Sequence, residues 1–198
     1  MLKWKAVLAS LLPAFASAGG ADVPAEAEPA FKDGANCLFI GHSFFIPVAR
    51  SFDKVARQSG FRSHEVKLVF APGKGGLPAD LWDNPKHKKQ IEAALATGKI
   101  DLLGMTALGG LGSTFEDCQR WIDLALKHNP KTRFFIGVPW IPGGPKMENE
   151  RYLKAIEASG DRTFKTVTEL RKAYPKNQID FINYGIVGRV GEYNRKYR

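Results

Sequence analysis

The chain has 198 residues, with 29 Lys and Arg, 20 Asp and Glu and 44% apolar residues. This is the composition of one globular domain, and it excludes a repeat array, a coiled coil or a disordered tail. No apolar stretch reaches the roughly 18 to 20 residues that a membrane-spanning helix needs. The formal net charge of +9 could attract anionic surfaces. No nucleic-acid motif accompanies it, so we interpret it as a solvated surface and expect no nucleic-acid partner.

The N-terminal segment has the pattern of a secretory signal. Two lysines precede an apolar stretch over residues 6–15, and a small-residue Ala-Ser-Ala cleavage site ends at Ala18. We therefore predict a signal peptide over residues 1–18 and an exported protein, periplasmic or extracellular after cleavage. Residues 19–35 are small, acidic and Pro-containing, which is typical of a flexible linker. The alternative is a buried N-terminal helix, which the composition of this linker disfavours.

Short apolar runs alternate with helical patterns from Asn36 onward. Helices between successive strands imply parallel pairing, with helices covering both faces of the sheet. The predicted fold over residues 36–198 is a three-layer α/β/α sandwich with a five-stranded, mainly parallel, flavodoxin-like sheet. The five predicted strands are Cys37–Gly41, Glu65–Phe70, Ile100–Met105, Arg133–Val138 and Ile179–Tyr184.

Capping signals delimit the intervening helices. The first helix is predicted to begin at Pro47 and to end at Gly60. Ser113 and Glu116 have capping-box spacing for the third helix. Gly160 lies inside the last helical region, and the pattern leaves open whether one helix or two form there.

The two cysteines allow two interpretations. Cys37 opens an apolar strand and Cys118 lies on the apolar face of a helix, so a disulfide formed in an oxidising compartment and two buried free thiols both remain open. Neither has a CxxC partner, and the four histidines form no HExxH or clustered pattern. We therefore predict no metal and no cofactor.

Ser43 is the sharpest functional feature of the sequence. It lies two residues beyond the first predicted strand, and Pro47 begins a helix soon afterwards. Chemistry in parallel sheets collects at the carboxyl ends of the strands. Free amides at a helix start can bind an oxyanion that develops during acyl transfer. A serine that only caps the helix is the simpler alternative, because capping serines are far commoner than catalytic ones.

The segment Phe-Ile-Gly-His-Ser over residues 39–43 resembles the first block of the SGNH (GDSL-like) hydrolase superfamily, with Gly-His-Ser where Gly-Asp-Ser is usual. In the order and spacing of elements the resemblance covers about residues 36–187, and only this first block is specific. It implies an ester hydrolase in which Ser43 is the nucleophile and supplies one backbone amide to the oxyanion hole.

The resemblance also implies two further donors. The family's second block is a glycine after the second strand, and Gly75 or Gly76 matches it here, although this segment could equally be a plain glycine loop. The third block departs from the family, because Thr106 stands near the position of the usual asparagine. Thr106 either donates in its place or only ends the strand.

The fourth block is missing from this sequence. The family places Asp-x-x-His near the C terminus, where the histidine takes the proton of the serine, and no histidine follows His128 here. His128 is expected at a helix end, on the side of the sheet opposite Ser43. His42 is expected to be a neighbour of Ser43 and not its base, because adjacent residues leaving a strand point apart. We expect that the domain is truncated at its C terminus or that the protein no longer hydrolyses esters.

Two functions from different classes follow. The first is an exported serine hydrolase that acts on carboxylic esters, either small-molecule esters or acylated carbohydrate, and is weak or inactive in this form because a serine without a base is a poor nucleophile. The second is a non-catalytic exported binding protein that holds an anionic or sugar ligand at the same loops. Trp140 and Trp82 could line either pocket, or could simply pack into the fold.

Overall fold

The structure is a computed structural model, and it describes residue 31 and residues 33–107, 114–141 and 148–184. The predicted signal peptide and most of the predicted linker lie outside these residues. Among the described residues, no helix has both the length and the apolar character needed to cross a membrane.

Strands and helices alternate along the described chain. The strands are β1 (Asn36–Gly41), β2 (Glu65–Phe70), β3 (Leu102–Thr106), β4 (Arg133–Val138) and β5 (Ile179–Asn183). The helices are α1 (Ile46–Gln58), α2 (Pro78–Asp83), α3 (Pro85–Leu95), α4 (Phe115–His128) and α5 (Asn149–Ala173), and a 3₁₀ helix spans Gly73–Gly76. Two predicted strands, β2 and β4, have the predicted bounds; β1 and β5 differ by one residue at one end, and β3 begins two residues later and ends one residue later than predicted.

All strand pairs are parallel, and the strand order is β2-β1-β3-β4-β5, which is the flavodoxin-like order. Alternate side chains of β1 enter two separate apolar clusters. Leu38 and Ile40 pack with residues of α2, α3, α4 and α5, whereas Cys37 and Phe39 pack with Ala49 of α1. Helices therefore cover both faces of the sheet, and the predicted three-layer sandwich is confirmed.

The capping box of α4 lies one residue later than predicted. It uses Thr114 and Asp117 instead of Ser113 and Glu116. The Asp117 amide donates to Thr114 Oγ1 at 3.3 Å, and the Thr114 amide donates to the Asp117 carboxylate at 3.0 Å. Both pairs have the required spacing, so the pattern alone does not choose the register. Ser113 itself lies outside the described residues.

Helix α5 runs without interruption through Gly160. A Cβ atom at this position would lie 2.8 Å from Asn183 Nδ2, so the glycine allows β5 to approach the helix closely. The glycine that suggested a break is therefore explained by packing between α5 and the edge strand.

The two cysteines are free and lie on opposite faces of the sheet. Cys37 is 2% exposed and Cys118 is fully buried. Burial raises the pKa of each thiol to about 12, with a smaller contribution from nearby carboxylates. Of the two interpretations that the sequence left open, the structure supports buried thiols.

We expect neither thiol to react with Ellman's reagent in the native protein at pH 8, because the thiolate is the reactive form and burial disfavours it. Both cysteines should react once the chain is unfolded in guanidinium without reductant. Fewer reactive thiols in the unfolded chain would reveal a disulfide and contradict this structure.

Candidate functional site

Ser43 lies in the turn that joins β1 to α1, at the carboxyl edge of the sheet, and its side chain is exposed. Among the described residues, neither its amide nor its hydroxyl has a hydrogen-bond partner. The N-cap of α1 is Phe45, and no side chain caps this helix. The alternative in which Ser43 only caps the helix therefore does not apply, and the described part of the chain engages neither of its polar groups.

Gly76 brings the segment after β2 against the end of β1. A Cβ atom on Gly76 would lie 2.3 Å from the Gly41 carbonyl oxygen and 2.6 Å from His42 Cα, whereas one on Gly75 would meet only Ala71 Cβ at 3.4 Å. The two glycines close the 3₁₀ helix Gly73–Gly76. Because such a helix engages its later amides with carbonyls three residues back, their amides can reach a ligand only as shared donors.

Thr106 ends β3 and meets β1 from the other side. It is fully buried, and its Oγ1 atom lies 2.7 Å from the place that a Cβ atom of Gly41 would occupy. Among the described residues, neither this hydroxyl nor the nearby Tyr184 phenol makes a hydrogen bond of acceptable geometry. Burial raises the pKa of Tyr184, and the neighbouring Thr106 hydroxyl partly offsets that effect. Thr106 therefore lies beneath Gly41, inside the fold, and not on the exposed surface beside Ser43.

His42 is a buried, neutral residue next to Ser43. Its side chain is 2% exposed, and the Phe44 amide donates to its Nδ1 atom at 3.3 Å. That bond assigns the ring proton to Nε2, which has no partner among the described residues. Burial lowers the pKa of the imidazole to about 4. The one ring nitrogen that can accept a hydrogen bond, Nδ1, is thus already engaged by the Phe44 amide.

Two other histidines lie at the opposite edge of the sheet. His64 directly precedes β2, is 4% exposed, and has Nε2 4.0 Å from an Asp53 carboxylate oxygen. His128 is the last residue of α4, which leads into β4. Among the described residues, no group of acidic, histidine and cysteine side chains could hold a metal ion.

The rings of Phe44, Trp140 and Tyr184 form a cluster that begins at the residue after Ser43, and we call it the aromatic wall. The half-buried rings of Phe44 and Trp140 stack with centroids 5.1 Å apart and planes 26° apart, and Trp140 meets the Tyr184 ring edge-on at 6.3 Å. Trp140 therefore lies at the predicted rim. Trp82 instead packs edge-on against buried Trp121 at 4.7 Å, in agreement with the simpler packing interpretation.

No protein-family model matches the chain, and no curated protein sequence matches it. Among solved structures it is similar to the salicylyl-acyltransferase SsfX3 from a tetracycline biosynthetic pathway, with a TM-score of 0.50 and 14% identity over 77% of this chain and 43% of that chain. It is also similar to the periplasmic domain of the lipopolysaccharide acetyltransferase of Salmonella ser. Paratyphi A, with a TM-score of 0.47 and 12% identity over 78% of this chain and 68% of that chain. The likeness to SsfX3 shows the fold.

The two neighbouring glycines of the 3₁₀ helix should respond differently to replacement by alanine. Gly76→Ala should destabilise the protein by about 1–3 kcal/mol, because the added Cβ overlaps backbone atoms that cannot move aside. Gly75→Ala is the matched control and should be neutral or stabilising by up to about 1 kcal/mol, because it removes freedom from the unfolded chain. Urea denaturation measures both, and equal effects would refute the close backbone contact.

The His42 imidazole should stay neutral at pH values well below those at which a histidine ordinarily takes up a proton. Burial lowers its pKa from 6.5 to about 4. Between these two pH values His42 is protonated in the unfolded chain and neutral in the native chain. The stability contributed by the neutral ring is present in full above pH 6.5 and is lost as the pH falls through about 4. Imidazole chemical shifts in an NMR titration measure this pKa, and a midpoint near 6.5 would contradict the buried position.

Proposed function

We propose that this protein is exported by the signal over residues 1–18 and handles carboxylic esters, with Ser43 as the nucleophile. The observation that carries the proposal is the exposed Ser43 hydroxyl beside its own unengaged amide, at the carboxyl edge of the sheet. Gly76 supports it because it lies against the Gly41 carbonyl oxygen and His42 Cα, at the start of the turn that carries Ser43. The likeness of residues 39–43 to the first SGNH block favours the same chemistry. The two similar structures are named as acyltransferases.

In this proposal the Ser43 oxygen attacks the ester carbonyl and forms a C–O bond, while the hydroxyl proton passes to solvent water, because the Ser43 hydroxyl has no hydrogen-bond partner among the described residues. The tetrahedral oxyanion collapses by breaking the C–O bond to the alcohol, which takes a proton from solvent as it leaves, and a second water then hydrolyses the acyl-Ser43 ester to the carboxylic acid and free Ser43. The Ser43 amide is the first oxyanion donor, the amide of Gly75 or Gly76 the second, and the Thr106 hydroxyl a third. Because Thr106 is buried beneath Gly41, its contribution requires the oxyanion to lie deep against the end of β1.

The aromatic wall suggests where the remainder of the substrate lies. Phe44 follows Ser43 directly and stacks on Trp140, so a substrate bound at Ser43 contacts flat apolar surface on one side. Such surfaces hold acyl groups and sugar rings. We propose small-molecule or carbohydrate esters as substrates, with no cofactor.

A non-catalytic binding protein is the second candidate, and one observation favours it. The Ser43 hydroxyl has no hydrogen-bond partner among the described residues, and the Nδ1 lone pair of the neighbouring His42 is occupied by the Phe44 amide. A serine without a base stays at its ordinary, weak nucleophilicity. The same amide and aromatic wall would then hold an anionic or sugar ligand without turnover.

A fluorophosphonate probe separates the two candidates. We expect slow labelling of the full chain at Ser43, located by peptide mass spectrometry, together with weak turnover of nitrophenyl acetate. Ser43→Ala should abolish labelling, while Ser51→Ala, at an exposed serine on α1, should leave it intact and serves as the control.

An unlabelled but folded wild-type chain, with a cooperative thermal melt by circular dichroism, would exclude an activated nucleophile. Equal ligand binding by wild type and Ser43→Ala, without hydrolysis in either, would support the binding protein. Robust turnover by the wild type would show that a base acts on Ser43.

A further inference from the structure

The turn that carries Ser43 has three backbone amides, and one residue engages two of them. The Phe44 amide donates to His42 Nδ1 at 3.3 Å, and the Phe45 amide donates to the His42 carbonyl oxygen at 3.0 Å. The Ser43 amide has no acceptor among the described residues. Because buried backbone amides require partners, the two bonds to His42 satisfy Phe44 and Phe45 and leave Ser43 as the amide of this turn that has no described acceptor.

The imidazole that accepts from Phe44 is fixed on several sides. It is 2% exposed, and its edge meets the Phe44 ring with centroids 5.5 Å apart and planes 82° apart. Its backbone is covered by Gly76, which leaves no space for a Cβ atom above His42 Cα. Phe44 in turn stacks on Trp140. The His42 ring therefore contacts Phe44 through both its Nδ1 atom and edge-on ring packing, while the His42 backbone contacts the 3₁₀ segment.

We propose that His42 is a positioning residue, whose Nδ1 atom holds the Phe44 amide so that the Ser43 amide and hydroxyl stay turned outward together. Its effect on ester chemistry rests on the function proposed above, whereas its effect on the turn does not. The geometry is that of a side-chain acceptor bonding the amide two residues on, as Asn and Asp do in Asx turns. His42 supplies this acceptor from a ring nitrogen.

This role is distinct from that of a general base. A base must offer its lone pair to the Ser43 hydroxyl, but the Nδ1 lone pair is occupied by Phe44 and Nε2 carries the proton. Taking the proton of Ser43 on Nδ1 would break the bond to the Phe44 amide. His42 therefore acts on Ser43 through the backbone, and a variant that retains only the acceptor should retain the function.

Substitution of His42 by Asn or by Gln distinguishes the role of Nδ1 from that of Nε2. In His42→Asn the Oδ1 atom lies the same number of bonds from Cα as Nδ1, whereas in His42→Gln the terminal amide lies one bond further, like Nε2. His42→Leu retains apolar volume without any acceptor. We expect Asn to restore the bond to the Phe44 amide, and we expect Gln and Leu to lose it.

Amide hydrogen exchange in the full chain, measured by NMR, tests the turn directly. The Phe44 amide should exchange at a similar rate in wild type and His42→Asn, and about tenfold faster in His42→Gln and His42→Leu. The Ala71 amide, which donates to the Gly41 carbonyl oxygen at 3.1 Å, is the internal control and should not change. Fluorophosphonate labelling of Ser43 should follow the same order, with Gln and Leu about tenfold slower.

The outcomes separate this proposal from the proposed function. If Phe44 exchange follows the expected order but wild-type Ser43 is never labelled, positioning stands and the esterase proposal fails. If Gln protects Phe44 as well as Asn does, or if all variants behave like the wild type, the positioning role is wrong. Unfolding of both Asn and Gln variants would show that His42 serves packing alone, and would also overturn it.

Discussion

The close contact between Gly76 and the Gly41 carbonyl organises the carboxyl edge of this sheet. Strand β1 lies inside the sheet, with β2 on one side and β3 on the other, and Gly76 after β2 and Thr106 at the end of β3 both approach Gly41. A side chain at Gly41 would strike the Thr106 hydroxyl, and one at Gly76 would strike the β1 backbone. Only residues without a Cβ atom allow this approach, so the position of Ser43 two residues later depends on them.

Buried polar atoms without described partners occur at this edge and elsewhere. The Thr106 hydroxyl, the Tyr184 phenol and His42 Nε2 lie near the carboxyl ends of β1, β3 and β5, whereas His64 Nε2 lies at the opposite edge and His87 Nδ1 lies on α3. An unpaired buried polar group costs about 1–3 kcal/mol, and proteins tolerate such costs at functional sites. Because such atoms also occur away from the edge, the candidate site depends on the exposed Ser43 turn and not on their number.

The parts of the fold predicted correctly from sequence are those with strong hydrophobic patterns. Strands β2 and β4 are short apolar runs bounded by turn residues, and their limits follow from the residues alone. The 3₁₀ helix and α2 lie in a segment rich in Gly and Pro, a composition that is typical of a loop. The helical form of this segment depends on tertiary contacts that the sequence pattern does not show. Adjacent cap-forming residues at 113 and 114 make the start of α4 ambiguous. Gly160 suggests a helix break unless its contact with Asn183 is known.

The sequence predicted where the candidate site lies, but not the contacts that its residues make. The end of a buried strand before Ser43 indicates an exposed turn at the carboxyl edge, and the structure places Ser43 there. No local pattern distinguishes Gly75 from Gly76, because the difference between them arises from contact with the backbone of Gly41 and His42, far earlier in the chain. The bond from the Phe44 amide to His42 is likewise invisible, since nothing in the sequence fixes an imidazole rotamer or tautomer.

Hydrolysis and ligand binding by this site have a common physical basis. Donors aimed at a developing oxyanion act separately from the base, and serine proteases without a working triad retain roughly 10³–10⁴-fold catalysis over water. A turn that offers the Ser43 amide beside an aromatic wall would bind an oxyanion or an anion whether or not the proton is removed efficiently. A base for Ser43 would determine how fast its hydroxyl reacts, whereas the Ser43 backbone amide determines which negatively charged groups the turn can bind. Both candidate functions therefore require the Ser43 amide to stay free, and this amide has no acceptor among the described residues.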